Sequence, residues 1–325
     1  MRLATILPEN GTKPIAAVSV TAEDWIGLHS FLTFFGISGL PQDPVAPMES
    51  FLPVLLPLFS EFTRKVNDWP EHGRLFQKRG GKAVRARKFL PPVVRPSTFR
   101  DFYGFEQHVR ASRSRRGLEM VQAWYEIPVF YFSNPNSLVG NDAEISAPKG
   151  CAELDYELEL GIVIGRQGRN ISTADAWNYV AGFTILNDFS ARDLQRAEMA
   201  VGLGPAKGKD FATAAGPILV TRDEFTDKTD KERISLEMRG RVNGRQLSWG
   251  SSLTLFHSLP AMIARASRDA ELFPGDLIGS GTIGTGCILE LGPENTGGWL
   301  KPGDSVELEI ERIGILRTKI GGPGT

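Results

Sequence analysis

Polar and apolar residues alternate along "LDYELELGIVIG", residues 154–165, and this spacing of two predicts a β-strand. The apolar residues at positions 158, 160, 162 and 164 share one face, as in a buried strand. The other face begins with three carboxylates, Asp155, Glu157 and Glu159. Three like charges on a buried strand need partners, because burying an unpaired carboxylate costs free energy.

The remaining pattern predicts many short strands and few helices. We predict a hairpin over 2–20, strands over 183–186, 285–292 and 305–316, and helices over 49–66, 98–116, 173–178, 190–200 and 252–268. The stretch 73–89 carries seven Lys or Arg and predicts solvated, partly flexible surface. Prolines near residue 90 suggest a small N-terminal α/β domain over 1–90 and a second domain over 91–325. The predicted class is α+β and β-rich.

Composition indicates a globular protein with a large core. The chain has 325 residues, of which 41% are hydrophobic and 23% are charged. A net charge of −1 indicates neither a nucleic-acid nor a membrane partner. The longest apolar segment, 51–59, is too short to span a bilayer, and we expect no signal peptide. Two cysteines suggest a reducing compartment, so we expect a cytoplasmic protein.

Two glycine-rich segments imitate nucleotide-binding motifs. "GSGTIG", residues 279–284, fits G-x-G-x-x-G but runs into a predicted strand, whereas a dinucleotide fingerprint opens a helix. "GPAKGKD" lacks the glycine spacing of a phosphate loop and has Asp210 where Ser or Thr is needed. Four histidines and two distant cysteines show no zinc-ligand spacing.

The strongest candidate for chemistry is the acidic strand face. Glu157 and Glu159 project together, so they either form a solvated strand face or share a cation. Asp155 lies nearer the strand entrance, where we expect it to be exposed. Asp188 follows the strand 183–186 at a turn into a helix, and Arg192 and Gln195 share one face of that helix. The alternative is a turn carboxylate and an ordinary surface pair.

A histidine offers a candidate base. On the predicted helix 98–116, Asp101 and His108 are seven residues apart and share a side. Glu290, in the predicted strand 285–292, could orient a histidine as the acid of a triad does, or it could be an exposed strand residue. A single histidine is usually structural, but an acidic neighbour favours a base.

Five segments in order over 91–316 together resemble the fumarylacetoacetate hydrolase family: "RDFYGFEQH", "LDYELELGIVIG", "LNDFSARDLQ", "LGPAKGKDFATAAGP" and "GTIGTGCILELG". The resemblance implies a mixed β-roll core of that family's type, a homodimer, and bound Mg²⁺ or Ca²⁺, with Mn²⁺ also suitable. Oxygen ligation of this kind suits hard divalent ions.

The resemblance also implies a role for each matching residue. The implied metal ligands are Asp101, Glu157, Glu159 and Asp188, with Lys209 and Thr213 close to the metal. His108 is implied as general base, Glu290 as the acid that orients it, and Arg192, Gln195 and Lys209 as oxyanion donors. Tyr103, Tyr131 and Thr282 match substrate-contacting positions, and a substrate arginine falls among Arg113, Arg115 and Arg116.

The implied activity is metal-dependent hydrolysis of a C–C bond in a small anionic 1,3-diketo acid, of the fumarylacetoacetate or acylpyruvate type, as in aromatic compound catabolism. The alternative within the same fold is a lyase or isomerase of a small 2-keto acid, for example an oxaloacetate decarboxylase. A non-enzymatic metal-binding scaffold would need neither His108 nor Glu290. A phosphoryl-transfer enzyme would need a phosphate loop, which the sequence lacks.

Overall fold

The computed structural model describes residues 1–322, which contain twenty-two strands and ten α-helices. In chain order the strands are β1 (Arg2–Pro8), β2 (Ile15–Ser19), β3 (Asp24–Gly27), β4 (Val84–Phe89), β5 (Phe99–Phe102), β6 (Phe130–Ser133), β7 (Leu138–Val139), β8 (Ala143–Ile145), β9 (Leu154–Asp155), β10 (Leu158–Ile164), β11 (Gly168–Arg169), β12 (Val180–Asp188), β13 (Ser190–Ala191), β14 (Thr213–Thr221), β15 (Thr229–Asp230), β16 (Arg233–Ile234), β17 (Glu237–Val242), β18 (Arg245–Ser251), β19 (Glu271–Leu272), β20 (Leu277–Gly279), β21 (Ser305–Ile310) and β22 (Gly314–Ile320).

The helices are short. They are α1 (Leu28–Phe34), α2 (Leu52–Leu55), α3 (Phe59–Asn67), α4 (Trp69–Lys78), α5 (Glu106–Ser114), α6 (Gln122–Glu126), α7 (Arg192–Ala200), α8 (Leu259–Ala266), α9 (Ile288–Leu291) and α10 (Pro293–Thr296). Turns of 3₁₀-helix cover Met48–Ser50, Leu56–Leu58, Pro135–Ser137, Ala176–Tyr179, Arg222–Lys228 and Ser252–Thr254. Across residues 1–322, none of the helices has the length and apolar character needed to cross a membrane.

An eleven-stranded mixed sheet organises the fold, in the order β2-β3-β4-β1-β14-β12-β10-β20-β5-β6, with β7 paired beside β14. One face packs on a five-stranded sheet, β18-β17-β21-β22-β8. The other face packs on the helices near the N-terminus, so a core lies on each side. The predicted α+β, β-rich class is confirmed. The boundary near residue 90 stays a prediction, and β1 to β4 extend the same sheet as β10, β12 and β14.

The burial of the central strand β10 on both faces explains its sequence pattern. All seven of its residues are buried. Its apolar face, with Leu158 and Leu160, packs in the core against the five-stranded sheet. Its other face starts at Glu159 and ends at Val163, which lies in the core against the N-terminal helices. The acidic face of this strand is therefore an interior cavity wall at one end and core at the other.

The predicted hairpin is confirmed, since β1 and β2 pair antiparallel. The predicted helix over 49–66 is helical along most of its length but is divided into a 3₁₀ turn, α2, a second 3₁₀ turn and α3. Pro53 and Pro57 lie near the starts of α2 and the second 3₁₀ turn, because proline cannot continue a helix from its interior. The segments 173–178, 190–200 and 252–268 are helical only in part, at Ala176–Tyr179, α7 and α8. The basic stretch 73–89 is mostly exposed, as predicted, and it forms the end of α4 and the strand β4.

Three further predictions were wrong, two of them in the choice between helix and strand. The helix over 98–116 is instead β5 followed by α5, so Asp101 lies on a strand. The strand over 285–292 is the single helical turn α9, which carries Glu290. The strand over 305–316 is two strands, β21 and the start of β22, joined by a turn with Arg312 at positive φ.

The dinucleotide motif stays excluded, for a different reason. "GSGTIG" lies at the end of β20 and in the loop before α9, and β20 pairs antiparallel with β10. A dinucleotide-binding unit requires parallel strands joined by a crossover helix.

Candidate active site

Neighbouring strands of the large sheet bring the predicted site residues together. Along the order β14-β12-β10-β20-β5-β6 they contribute, one per strand, Thr213, Asp188, Glu159, Gly279, Asp101 and Tyr131. Direct register pairs are Asp188 with Thr213, Gly279 with Asp101, and Asp101 with Tyr131. Residues paired in register point to the same face of a sheet. The acidic side chains therefore converge on one face, although they come from distant segments of the chain.

Gly279 makes this convergence possible. It occupies the strand between those of Glu159 and Asp101. A Cβ atom placed on Gly279 would lie 2.3 Å from Oδ1 of Asp101 and 2.8 Å from Oε2 of Glu159. The absence of a side chain on β20 thus lets two carboxylates meet across an intervening strand.

Lys209 neutralises one side of the acidic cluster. Its Nζ lies 2.5 Å from Oε2 of Glu157 and 2.5 Å from Oδ2 of Asp188. Arg192 adds an ion pair of 2.7 Å to Oε1 of Glu157. Burial alone would raise the pKa of Glu157, but Lys209 and Arg192 hold that pKa below its ordinary value. Burial alone would lower the pKa of Lys209, but Asp188 and Glu157 hold that pKa above its ordinary value.

The other side of the cluster is not neutralised. Burial, together with the charge of Asp188, raises the pKa of Asp101 well above its ordinary value. Burial, together with the charge of Asp101, does the same to the pKa of Glu159. Oδ1 of Asp101 is buried and has no hydrogen-bond partner among residues 1–322. A buried carboxylate oxygen of this kind needs either a proton or a cation.

The donor set fits a hard divalent cation. Within residues 1–322, five buried carboxylates of this region, Asp101, Asp155, Glu157, Glu159 and Asp188, face two buried cations, Arg192 and Lys209. Thr213 and Tyr131 donate to Asp188 at 2.9 Å and 2.6 Å, so both side chains belong to the same cluster. An all-oxygen set with excess negative charge suits Mg²⁺, Ca²⁺ or Mn²⁺.

A second grouping of metal-ligand types lies next to this set. Ligand atoms of His108, Glu157 and Cys287 lie within 4.8 Å of one another. This grouping offers one carboxylate with an imidazole and a thiol, a mixed ligand set that suits softer ions than the hard divalent cations that carboxylates bind. Burial raises the pKa of the Cys287 thiol, which further disfavours metal ligation because thiolate is the ligand form. The four-carboxylate set therefore fits a metal better.

His108 has the surroundings of a general base. It is buried on α5, and its Nδ1 lies 3.2 Å from Oε2 of Glu290 on α9. Its Nε2 lies 3.5 Å from Oγ of Ser112 and 4.0 Å from Oε1 of Glu157. A carboxylate on one ring nitrogen fixes the ring orientation and leaves the other nitrogen available. His108 lies on a helix, as predicted, whereas Glu290 lies on the helical turn α9 and not on the predicted strand.

A cavity of about 310 Å³ joins these groups. The predicted site residues in its wall are Asp101, Tyr103, His108, Tyr131, Glu157, Glu159, Arg192, Gln195, Lys209 and Thr282. Arg192 donates from Nη1 to Oε1 of Gln195 at 3.1 Å, which orders that amide within the wall. Thr282 donates to Oε1 of Glu159 at 3.4 Å.

Arginines give the cavity its positive side. Arg113 and Arg116 line it, whereas Arg115 does not and instead lies 3.4 Å from Glu294. Of the three arginines left open by the sequence, two can therefore reach a ligand. The predicted helix side for Arg192 and Gln195 agrees with their position on α7.

Sequence reasoning missed two residues. Asp155 was expected to be exposed, but it is fully buried and ion-paired with Arg192. The signal was present, because Asp155 shares its strand face with Glu157, two positions further on. Gly279 was noted only within a glycine-rich motif, and its place between two carboxylates depends on strand order, which the local sequence does not state.

Comparison with known proteins is consistent with this geometry. The family model for the fumarylacetoacetate hydrolase C-terminal region matches residues 97–321. An oxaloacetate tautomerase of Bacillus subtilis is 34% identical over 200 residues, which are 60% of this chain and 62% of that protein. The chain therefore matches less than two thirds of this relative's length.

Solved structures share the fold over the whole chain. A fumarylacetoacetate hydrolase from Exiguobacterium antarcticum superposes with a TM-score of 0.70 at 23% identity, covering 99% of this chain and 100% of that one. A maleylpyruvate hydrolase from Sphingobium sp. SYK-6, solved with manganese(II) and pyruvate, gives a TM-score of 0.68 at 20% identity, with both chains fully covered.

Proposed function

The chain belongs to the fumarylacetoacetate hydrolase family, and from this premise we propose that it is a metal-dependent hydrolase that cleaves a C–C bond in a 1,3-diketo acid of the fumarylacetoacetate or acylpyruvate type. The observation that carries the proposal is the buried His108–Glu290 pair, in which His108 lines the cavity beside an incompletely neutralised carboxylate cluster. A base positioned by a carboxylate is what activation of water requires.

Carboxylate side chains are the proposed ligands of the cation. Asp101, Glu157, Glu159 and Asp188 would hold it, and when bound it supplies Lewis-acid polarisation of the substrate oxygens. The relative from Sphingobium binds manganese(II), which supports a divalent ion of this kind for the present chain.

The chain's own residues perform the proton transfers. His108, held by Glu290, takes a proton from a water molecule whose oxygen attacks a substrate carbonyl carbon. Such base catalysis contributes ~10²–10⁴-fold. When the C–C bond breaks, the electron pair stays on the departing carbon, and the imidazolium of His108 returns the proton to it. The two products are carboxylic acids or keto acids according to the substrate.

The cavity wall stabilises charge. Arg192, Gln195 and Lys209 line it and can donate to the oxyanion that forms when water adds. Losing one such donor typically costs roughly 10²–10³ in turnover. Arg113 and Arg116 give the same cavity affinity for a carboxylate, which fits a small anionic substrate.

A second candidate is a tautomerase, isomerase or decarboxylase of a small 2-keto acid such as oxaloacetate. The observation that favours it is the 34% identity to an oxaloacetate tautomerase. Proton movement between carbon and oxygen also needs a positioned base, but it consumes no water.

A substrate panel separates the candidates. Acylpyruvates, fumarylacetoacetate and oxaloacetate are incubated with the protein and Mg²⁺, Mn²⁺ or Ca²⁺, and the loss of enol absorbance is followed together with the products. Hydrolysis gives two acid fragments from a diketo acid. Turnover of oxaloacetate alone, with its carbon skeleton intact or with CO₂ released, would reject the hydrolase proposal in favour of the second candidate.

A further inference from the structure

Asp155 is a buried carboxylate outside the set of implied site residues. It is fully buried at the end of β9. Its Oδ1 accepts from the backbone N–H of Tyr156 at 2.9 Å and of Ile288 at 2.7 Å. Its Oδ2 accepts from the N–H of Leu289 at 2.9 Å and from Nε of Arg192 at 2.9 Å. The carboxylate thus accepts from the first turn of α9 through both oxygens and from the guanidinium of Arg192 through Oδ2.

These contacts connect Arg192, which lines the cavity, with Glu290, which holds the cavity-lining His108. Arg192 lies 2.8 Å from Asp155 and 2.7 Å from Glu157 through the same Nη2 atom, so Asp155 fixes the guanidinium from behind. Ile288 and Leu289 immediately precede Glu290, whose carboxylate is 3.2 Å from His108. The first N–H groups of a helix have no partner within the helix, so a side chain must satisfy them when they are buried.

We propose that Asp155 is a positioning residue, which sets the place of Glu290, and hence the orientation of His108, together with that of Arg192. This inference rests on the proposed function for its catalytic consequence. Asp155 acts at a distance, since it does not line the cavity. A single carboxylate can do this because it accepts from donors on two separate elements, α7 and α9.

The substitution Asp155→Asn removes the charge with little change in volume. An amide has only one acceptor oxygen, so its NH₂ group must face either the backbone N–H groups of α9 or the guanidinium of Arg192. Either arrangement places donor against donor. We expect Glu290 or Arg192 to shift, and displacement on the scale of 1 Å costs roughly 10²-fold in rate.

Asp276 provides a matched control. It is also fully buried, it accepts from the backbone N–H groups of Thr98 and Phe273 at 2.8 Å each, and it lies 3.9 Å from Arg100. It does not line the cavity. Asp276→Asn therefore carries the same structural penalty without the connection to His108.

The experiment combines kinetics with a spectrum of the histidine. We expect Asp155→Asn to lower kcat by roughly 10²-fold with KM changed about threefold or less, because a transition-state interaction is lost. We expect the ¹⁵N resonances of His108, assigned with His108→Gln, to change in Asp155→Asn and to remain as in the wild type in Asp276→Asn. Equal losses of kcat in both variants, or an unchanged kcat and His108 spectrum in Asp155→Asn, would overturn the proposal.

Failure of the proposed function and failure of the positioning role of Asp155 give different results. If the wild type turns over no substrate of either class, the proposed function fails, while the His108 spectrum still decides whether Asp155 positions the ring. If Asp155→Asn does not fold, amide hydrogen exchange of the wild type decides. Slow exchange at Ile288 and Leu289 supports the proposal, and exchange as fast as at a free helix end overturns it.

Discussion

Replacing Gly279 by alanine tests the carboxylate cluster without altering a single carboxylate. The added Cβ would lie 2.3 Å from Oδ1 of Asp101 and 2.8 Å from Oε2 of Glu159. Ordinary contact begins at 3.4 Å, so Oδ1 must move by about 1 Å and Oε2 by about 0.6 Å. Gly279 does not have a positive φ, so the backbone itself tolerates alanine.

These displacements are large for a metal site, because ligand positions matter to a few tenths of an ångström. We expect the affinity of Gly279→Ala for Mn²⁺ to fall by roughly 10–100-fold, the range typical of disturbed metal surroundings. Isothermal titration calorimetry with Mn²⁺ measures the affinity directly and needs no substrate. A thermal unfolding curve, recorded without metal, reports how much stability the same substitution removes.

Gly27→Ala is the control, because the nearest atom to its Cβ would be Cδ1 of Ile15 at 3.7 Å, an ordinary contact. We expect this variant to bind Mn²⁺ like the wild type. Wild-type affinity in Gly279→Ala as well would refute the reasoning that Asp101 and Glu159 bind the ion together across β20.

The remaining predictions concern the base, the substrate arginine and one thiol. His108→Ala should abolish turnover and keep Mn²⁺ affinity, whereas Glu159→Ala should lose both; rate assays and calorimetry check this, and a wild-type rate in His108→Ala would exclude it as the base. Arg116→Met should raise KM for a dicarboxylate by roughly tenfold, and Arg115→Met should leave KM unchanged; equal KM values would remove Arg116 from the substrate site. Burial raises the pKa of the Cys151 thiol to about 11, so iodoacetamide labelling followed by mass spectrometry should accelerate up to that pH, because the thiolate reacts; a plateau near pH 8.5 would contradict the shift.

Individual segments of the site were readable from the sequence. The carboxylates at 157 and 159 were predicted on one face of a single strand over 154–165. The structure divides this segment into β9 and β10, so Glu159 lies on the predicted face of β10 and Glu157 lies in the gap between the two strands. The alternation along β10 was readable because it is a local property of a strand. The pairing of His108 with Glu290 was implied by family resemblance, and the two side chains lie 3.2 Å apart. Asp101 and Glu290 were assigned to the wrong elements, whereas His108 lies on a helix as predicted. For Asp101 the reason is that a spacing of seven over 101–108 fits a strand followed by a helix as well as one continuous helix.

The choice of strand for Asp101 illustrates why local pattern was insufficient. The segment 99–102 holds two phenylalanines and two charged residues, and all four are buried in the structure. Pairing with β20 on one side and β6 on the other supplies the partners that stabilise it as a strand. Strand preference depends on such neighbours more than helix preference does.

The sequence by itself determined the alternation of β10, the residue types that can bind a hard cation, and the presence of a histidine and acids suited to proton transfer. The tertiary structure alone decided which acids are neutralised. Glu157 is ion-paired with Lys209 and Arg192. Asp155 is ion-paired with Arg192 and accepts hydrogen bonds from the start of α9. Asp101 and Glu159 face each other across Gly279, and within residues 1–322 neither is ion-paired with Lys209 or Arg192. The physical reason is that the charge of a buried carboxylate depends on atoms within a few ångströms, and here those atoms come from strands and loops far apart in the chain.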